Sequence, residues 1–335
     1  MLLISAAGVR GVRADVQQDV VTMLDADGAF VASPATVDAS GLVGVEDGGR
    51  LYVLSKGRLL VRDATRDTLD LVRSIDIDVD AVDGTTAAPS AHGLLILGDY
   101  AYAAMGSAGL QIVHIPSESV VTAGAAQSAA ALAVAREASS GRLVTAAGDA
   151  GLIAWSVTAS TTLEAVDVYL TDSSALDVSI AENGLLLATG ASGWLATFRL
   201  AAADGRLSLA SQVNLASGGD IVQGLVLESN AALVANDCLA GLIAIRLDTT
   251  SGAIGGDLAR VWVDDEAVRF ITPLLNSVVV VRETAVHAFA SSAMSYVAPS
   301  PSPTQTPEYT NGGVCLLGSW WGLSVMVVGF VVALV

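Results

Sequence analysis

A two-strand pattern recurs along this chain at a nearly fixed step, and that recurrence limits the folds open to it more than any other feature. The clearest copy is Gly98 to Ile115, GDYAYAAMGSAGLQIVHI, in which two apolar runs flank a small-residue turn. The glycine that opens its second run, Gly109, has counterparts at Gly151 and Gly193 after successive steps of 42 residues, and at Gly241 after a further 48. Earlier copies surround Gly57, in LYVLSKGRLLVRD, and Gly11, in LLISAAGVRGVRADV. A last copy, VVVVRETAVHAFA from Val278 to Ala290, keeps both apolar runs and loses the glycine. A period of 40 to 50 residues made of strand-like units is the mark of a radially repeated or stacked architecture.

Two further strand candidates accompany each hairpin. Small, apolar runs precede the hairpins: GLVGV from Gly41, GLLIL from Gly93, AALAVA from Ala130, ALDVSIA from Ala175, IVQGLVL from Ile221 and AVRFIT from Ala267. More polar, alternating runs follow them: DLVRSIDID, SVVTAG, LEAVDVYL, LSLASQVNL and LARVWVDD. Four strands per period make a propeller blade, and small residues suit the strand nearest the axis, where blades converge. The expected fold is therefore all-β, a seven-bladed β-propeller over residues 1–297, with six or eight blades as the neighbouring possibilities. Met1 falls on what should be a second strand, so ring closure is expected to use both chain ends, with AMSYVA from Ala293 pairing beside the N-terminal blade or finishing the last one. Residues 125–140, AAQSAAALAVAREASS, favour helix in isolation; their place in the repeat predicts a strand over Ala130 to Ala135 instead.

The Gly98–Ile115 copy resembles the LVIVD repeat, a propeller-forming repeat of bacterial and archaeal surface proteins: a Tyr-Ala-Tyr-Val strand, a glycine turn and a Leu-x-Ile-Val-Asp strand. The other copies share its apolar spacing. At the place of the repeat's aspartate this chain carries Arg62, His114, Ser156, Arg199 and Arg246, so no role of that aspartate carries over. The resemblance implies a surface scaffold rather than an activity.

Charge narrows the partners. Thirty-four acidic residues against sixteen basic ones give a net charge of −18, with Lys56 the single lysine, and so large an excess repels phosphate backbones and anionic headgroups. Nucleic acid is not an expected partner. Cys238, in an expected loop, and Cys315, in the apolar tail, are not placed to pair. The N-terminus has no basic run ahead of its short apolar stretch, so it makes a poor export signal.

The C-terminal region changes character. Residues 298–313 hold four of the eight prolines, between Pro299 and Pro307, and read as an extended Pro/Ser/Thr-rich linker in which Ser300, Ser302, Thr304, Thr306 and Thr310 are O-glycan acceptors if the chain is secreted by a eukaryote. Val314 to Val335 contains 22 residues without a charge, enough as a helix to cross a hydrocarbon core about 30 Å thick. This C-terminal hydrophobic helix is expected to tether the propeller to a membrane, and a glycolipid (GPI) anchor signal beginning at the Asn311-Gly312-Gly313 triplet is the other reading.

No catalytic, cofactor-binding or metal-binding residues are assigned. In SIDIDVDAVDG, Asp76, Asp78, Asp80 and Asp83 alternate like the start of a calcium loop, but Ala81 and Ala87 stand where the glycine and glutamate belong. Period-two aspartates on an outer strand guard an exposed edge. The three histidines, His92, His114 and His287, lie far apart in sequence and are expected to be satisfied structurally. The expectation is thus a cell-surface, membrane-tethered binding or adhesion scaffold with a protein or glycan ligand at its loops. The alternative is a propeller enzyme, a hydrolase or oxidoreductase, with a site built from blade loops.

Overall fold

The computed structural model describes residues 2–4, 11–15, 20–24, 35–36, 43–55, 57–63, 70–77, 92–121, 130–159, 161–181, 183–215, 221–227, 231–236, 241–263, 268–274, 277–282 and 286–290. Within them the chain forms antiparallel meanders, six of four strands and one of three. The first sheet holds β1 (Leu2–Ile4), β2 (Gly11–Asp15), β3 (Val20–Leu24) and β4 (Ala35–Thr36), and the second β5 (Val43–Asp47), β6 (Arg50–Ser55), β7 (Arg58–Asp63) and β8 (Leu71–Asp76). The third holds β9 (Gly93–Leu97), β10 (Tyr100–Ala104), β11 (Leu110–His114) and β12 (Ser119–Val120). In the fourth are β13 (Ala133–Arg136), β14 (Leu143–Ala146), β15 (Leu152–Ala159) and β16 (Thr162–Tyr169). The fifth has β17 (Ala175–Ile180), β18 (Leu185–Gly190), β19 (Trp194–Leu200) and β20 (Leu207–Asn214). The sixth has β21 (Ile221–Leu227), β22 (Ala231–Asn236), β23 (Gly241–Leu247) and β24 (Ile254–Val263), and the last β25 (Val268–Leu274), β26 (Ser277–Arg282) and β27 (Val286–Ala290).

The core lies between sheets rather than at one centre. Tyr52, Leu54, Leu59 and Val61 of the second sheet pack on Leu94, Ile96, Ala101 and Ala103 of the third. The opposite face of the third sheet, through Tyr102, Ala104, Leu110 and Ile112, packs on Leu143, Ile153 and Trp155 of the fourth. Alternate residues of β10 thus serve two different interfaces, as the period-two geometry of a strand demands. Strands enclosed on both faces are largely apolar, and every residue of β18 is buried. Outer strands have one wet face, and in β16 only Leu163 is buried.

The recurrent glycine has a steric reason at its turn. Gly151 takes φ +80°, and a Cβ there would lie 2.2 Å from the Tyr169 carbonyl oxygen. At Gly193, φ +74°, a Cβ would lie 2.5 Å from the Leu215 oxygen, and the Gly193 carbonyl accepts a hydrogen bond from Leu215 N–H at 2.8 Å. The turn also docks forward, since Gly106 pairs with Ala131 and Gly148 with Ala175 as isolated bridges to the start of the next sheet.

Each first strand touches the first strand of the next sheet, from β1 and β5 onward to β21 and β25, and β25 touches β1. Here the structure corrects one expectation: Leu2–Ile4 stands at the first-strand edge of its sheet, against β5 and β25, and not at a second-strand position. The segment expected to be a strand over Ala130 to Ala135 forms one at Ala133–Arg136, with Ala131 held by its bridge to Gly106. AMSYVA, the 298–313 linker and Val314–Val335 lie outside the described residues. Among the described residues no helix is long and apolar enough to cross a membrane.

Candidate functional site

In an antiparallel meander the turns joining first to second and third to fourth strands emerge at one end, and the remaining turns at the other. At the first of these ends three turns share a six-residue frame. In Glu137–Arg142, Ala201–Arg206 and Asp248–Ala253 the fifth residue is a glycine whose N–H bonds back to the first carbonyl, at 2.9, 2.8 and 2.7 Å. These glycines, Gly141, Gly205 and Gly252, all have positive φ.

Carboxylates brace all three turns, Asp204 accepting Arg206 N–H at 3.1 Å in the second. Glu137, 6% exposed, accepts the N–H groups of Ser139 at 2.9 Å and Ser140 at 2.6 Å. Burial pushes its carboxyl up, but the Ser140 and Ser139 hydrogen bonds outweigh that and hold it at about 2. Asp248 accepts from Thr250 N–H at 2.9 Å and from the Ser251 hydroxyl at 2.6 Å, and the Ser251 and Thr250 bonds draw its carboxyl down.

Cationic and amide side chains then tie neighbouring sheets together at this end. Arg142 Nη1 donates to the carbonyls of Ala201 at 3.1 Å and Ala202 at 2.8 Å, joining the fourth sheet to the fifth. Asn183 Nδ2 reaches Thr249 O at 2.8 Å, and Arg199 donates to Thr249 O at 3.2 Å and to Thr250 O, joining the fifth to the sixth. Arg73 Nη1 similarly reaches Ile115 O at 2.8 Å. Arg199 is one of the residues standing at the place of the repeat's aspartate, and here it clasps the next sheet.

The histidines do not converge. His92 precedes β9, with its N–H on Ala104 O at 3.0 Å, whereas His114 closes β11 at the opposite end of the same sheet, paired with Tyr100. His114 Nδ1 bonds Ser117 Oγ at 2.6 Å and its ring lies 4.8 Å from that of Tyr100. His287 lies in β27 of the last sheet. Asp76 ends the outer strand β8 and pairs with Arg58 at 2.9 Å; Asp78, Asp80, Asp83 and Cys238 lie outside the described residues. Among the described residues no group of three or more His, Cys, Asp or Glu side chains is placed to hold a metal ion.

Sequence reading passed over Asp177, on β17. The half-buried residue's carboxylate accepts Gly224 N–H of the sixth sheet at 3.0 Å, and loss of solvent pushes its pKa up to about 6 against the pull of the Gly224 and Val178 N–H groups. Its only sequence signal was a charge inside a run of small apolar residues, ALDVSIA.

The fold defines an all-β, propeller-like protein. No family model matches the chain, and no curated protein matches its sequence. In structure it is similar to a chain of the mitotic checkpoint complex, with a TM-score of 0.64 and 14% identity over 85% of this chain and 84% of that one. It is also similar to the computationally designed Ika8 protein, with a TM-score of 0.60 and 12% identity over 86% and 82% of the two chains. At such identities the likeness is one of fold alone.

Proposed function

We propose that the chain is a membrane-tethered, cell-surface binding or adhesion scaffold of the LVIVD-repeat type, presenting a protein- or glycan-binding face on a seven-bladed propeller. The observation that carries this reading is the turn end. Its loops are held by their own carboxylates and clasped to the next sheet by Arg142, Asn183 and Arg199, so a contact surface there loses little entropy on binding. Circular closure is supported by the contact of β25 with β1. Since β1 to β4 already fill the first sheet, residues 293–298 are assigned to the outer edge of the last blade, beside β27. The 298–313 linker then leaves from the rim as a stalk, and Val314–Val335 anchors it with the propeller on the outer side.

Two measurements test this. Deleting Val314–Val335 is expected to move the protein from the membrane to the soluble fraction; a full-length chain that is soluble without detergent and retains its C-terminus overturns the tether. Residues 1–313, immobilised and exposed to a glycan array and to purified cell-surface proteins, are expected to show saturable binding that Arg142→Ala or Asp248→Ala weakens. Turnover in a hydrolase and oxidoreductase screen, abolished by the same substitutions, contradicts the scaffold reading.

A further inference from the structure

Between the fifth and sixth sheets, near their first strands, three polar side chains share one face. Asp177 lies directly opposite Thr189 on β18, and Ser179 opposite Leu187. Side chains two apart on a strand, and those directly opposite across an antiparallel pair, project from the same face. That face looks toward β21, because Asp177 receives the Gly224 N–H and a Cβ on Gly224 would lie 2.7 Å from Thr189 Cγ2 and 2.9 Å from Leu187 Cδ2. The Thr189 hydroxyl is fully buried, at 0% exposure, and neither Thr189 Oγ1 nor Ser179 Oγ has a hydrogen-bond partner in the protein.

The fourth sheet shows how a buried threonine is satisfied within the protein. There Thr145, on the face that packs on the third sheet with Leu143, Ile153 and Trp155, accepts the Trp155 indole N–H on its Oγ1 at 3.0 Å. In the fifth sheet the residue opposite Leu187 on β19 is Thr197, whose hydroxyl donates to Gly252 O and so leaves Thr189 alone. An orphaned buried hydroxyl costs the desolvation of its polar atom unless something small bonds to it.

We propose that Asp177, Thr189 and Ser179 form an internal binding site for an ordered water molecule that donates to the Asp177 carboxylate and accepts from the two hydroxyls. Three hydrogen bonds are the usual complement of a buried water. A hard cation fits less well, since its coordination needs six or more oxygens and one carboxylate supplies little charge.

Crystals of the full chain are expected to show a water within hydrogen-bond distance of Asp177 and Thr189. In solution, the carbon-13 titration of the Asp177 carboxyl is expected to move upward by about half a unit or more in Thr189→Val, as a bond to the charged form is lost. Thr189→Ser, which keeps the hydroxyl, is expected to restore it, and serves with Ser179→Ala if the valine variant does not fold. A direct Asp177–Thr189 hydrogen bond, a cation at the position, or identical titrations in wild type and the hydroxyl-free variants would overturn the proposal.

Discussion

Two carboxylates, Glu137 in a turn and Asp177 on the strand β17, should respond to pH in opposite directions. Glu137 is held at about 2 in the folded protein, below its ordinary range, so its contribution is fully present above pH about 4.5 and is lost as the pH falls toward 2. Glu137→Ala is therefore expected to cost about 2 kcal/mol at pH 7, with the cost shrinking through that acid window in chemical denaturation. Asp177 is raised to about 6, so the folded form keeps its proton where the unfolded chain has released it. Its contribution is greatest below about pH 4 and declines as the pH rises through 6. Asp177→Asn should become more stable relative to wild type between pH 4 and pH 7.5, by at most about 3 kcal/mol. Parallel pH profiles of variant and wild type would remove Asp177 from the account.

The element that repeats is a hairpin whose glycine is required by two separate effects. Gly151 and Gly193 combine positive φ with a carbonyl oxygen where a Cβ would stand, whereas Gly48, at φ +59°, has nothing within 4 Å. Gly48→Ala is expected to cost about 1 kcal/mol, the left-handed penalty alone. Gly151→Ala and Gly193→Ala should cost at least about 2 kcal/mol more, because backbone must shift; equal losses at all three sites in thermal denaturation would show that crowding by the fourth strand is not what selects glycine. These turns were legible in the sequence because their cause is local: a glycine, small neighbours and two apolar runs at a constant step. The first strands were legible by position, and the pull of the repeat over helix propensity at Ala133–Arg136 follows from pairing with Leu143–Ala146. What binds one sheet to the next was not legible. Arg142 meets carbonyls about sixty residues away, and Asp177 acquires its setting only when Thr189 lies across from it and Gly224 closes the gap. No local spacing encodes either meeting. The placement of Leu2–Ile4 was misread for a related reason: its resemblance to the Gly151 hairpin is local, whereas its edge position depends on the first strands of two other sheets.

At the scale of the whole molecule, each sheet depends on both neighbours to cover its faces, so stability belongs to the circuit more than to any unit. Among the described residues the buried clusters run from the second sheet to the sixth, each between two neighbouring sheets, and the contact between β25 and β1 joins the last sheet to the first. A crystal structure of residues 1–313 tests this most directly. We expect seven blades around one axis, with residues 293–298 hydrogen-bonded to β27 as the fourth strand of the last blade. Six or eight blades, an open array in which β25 and β1 stand apart, or a fourth strand supplied by another segment would contradict it.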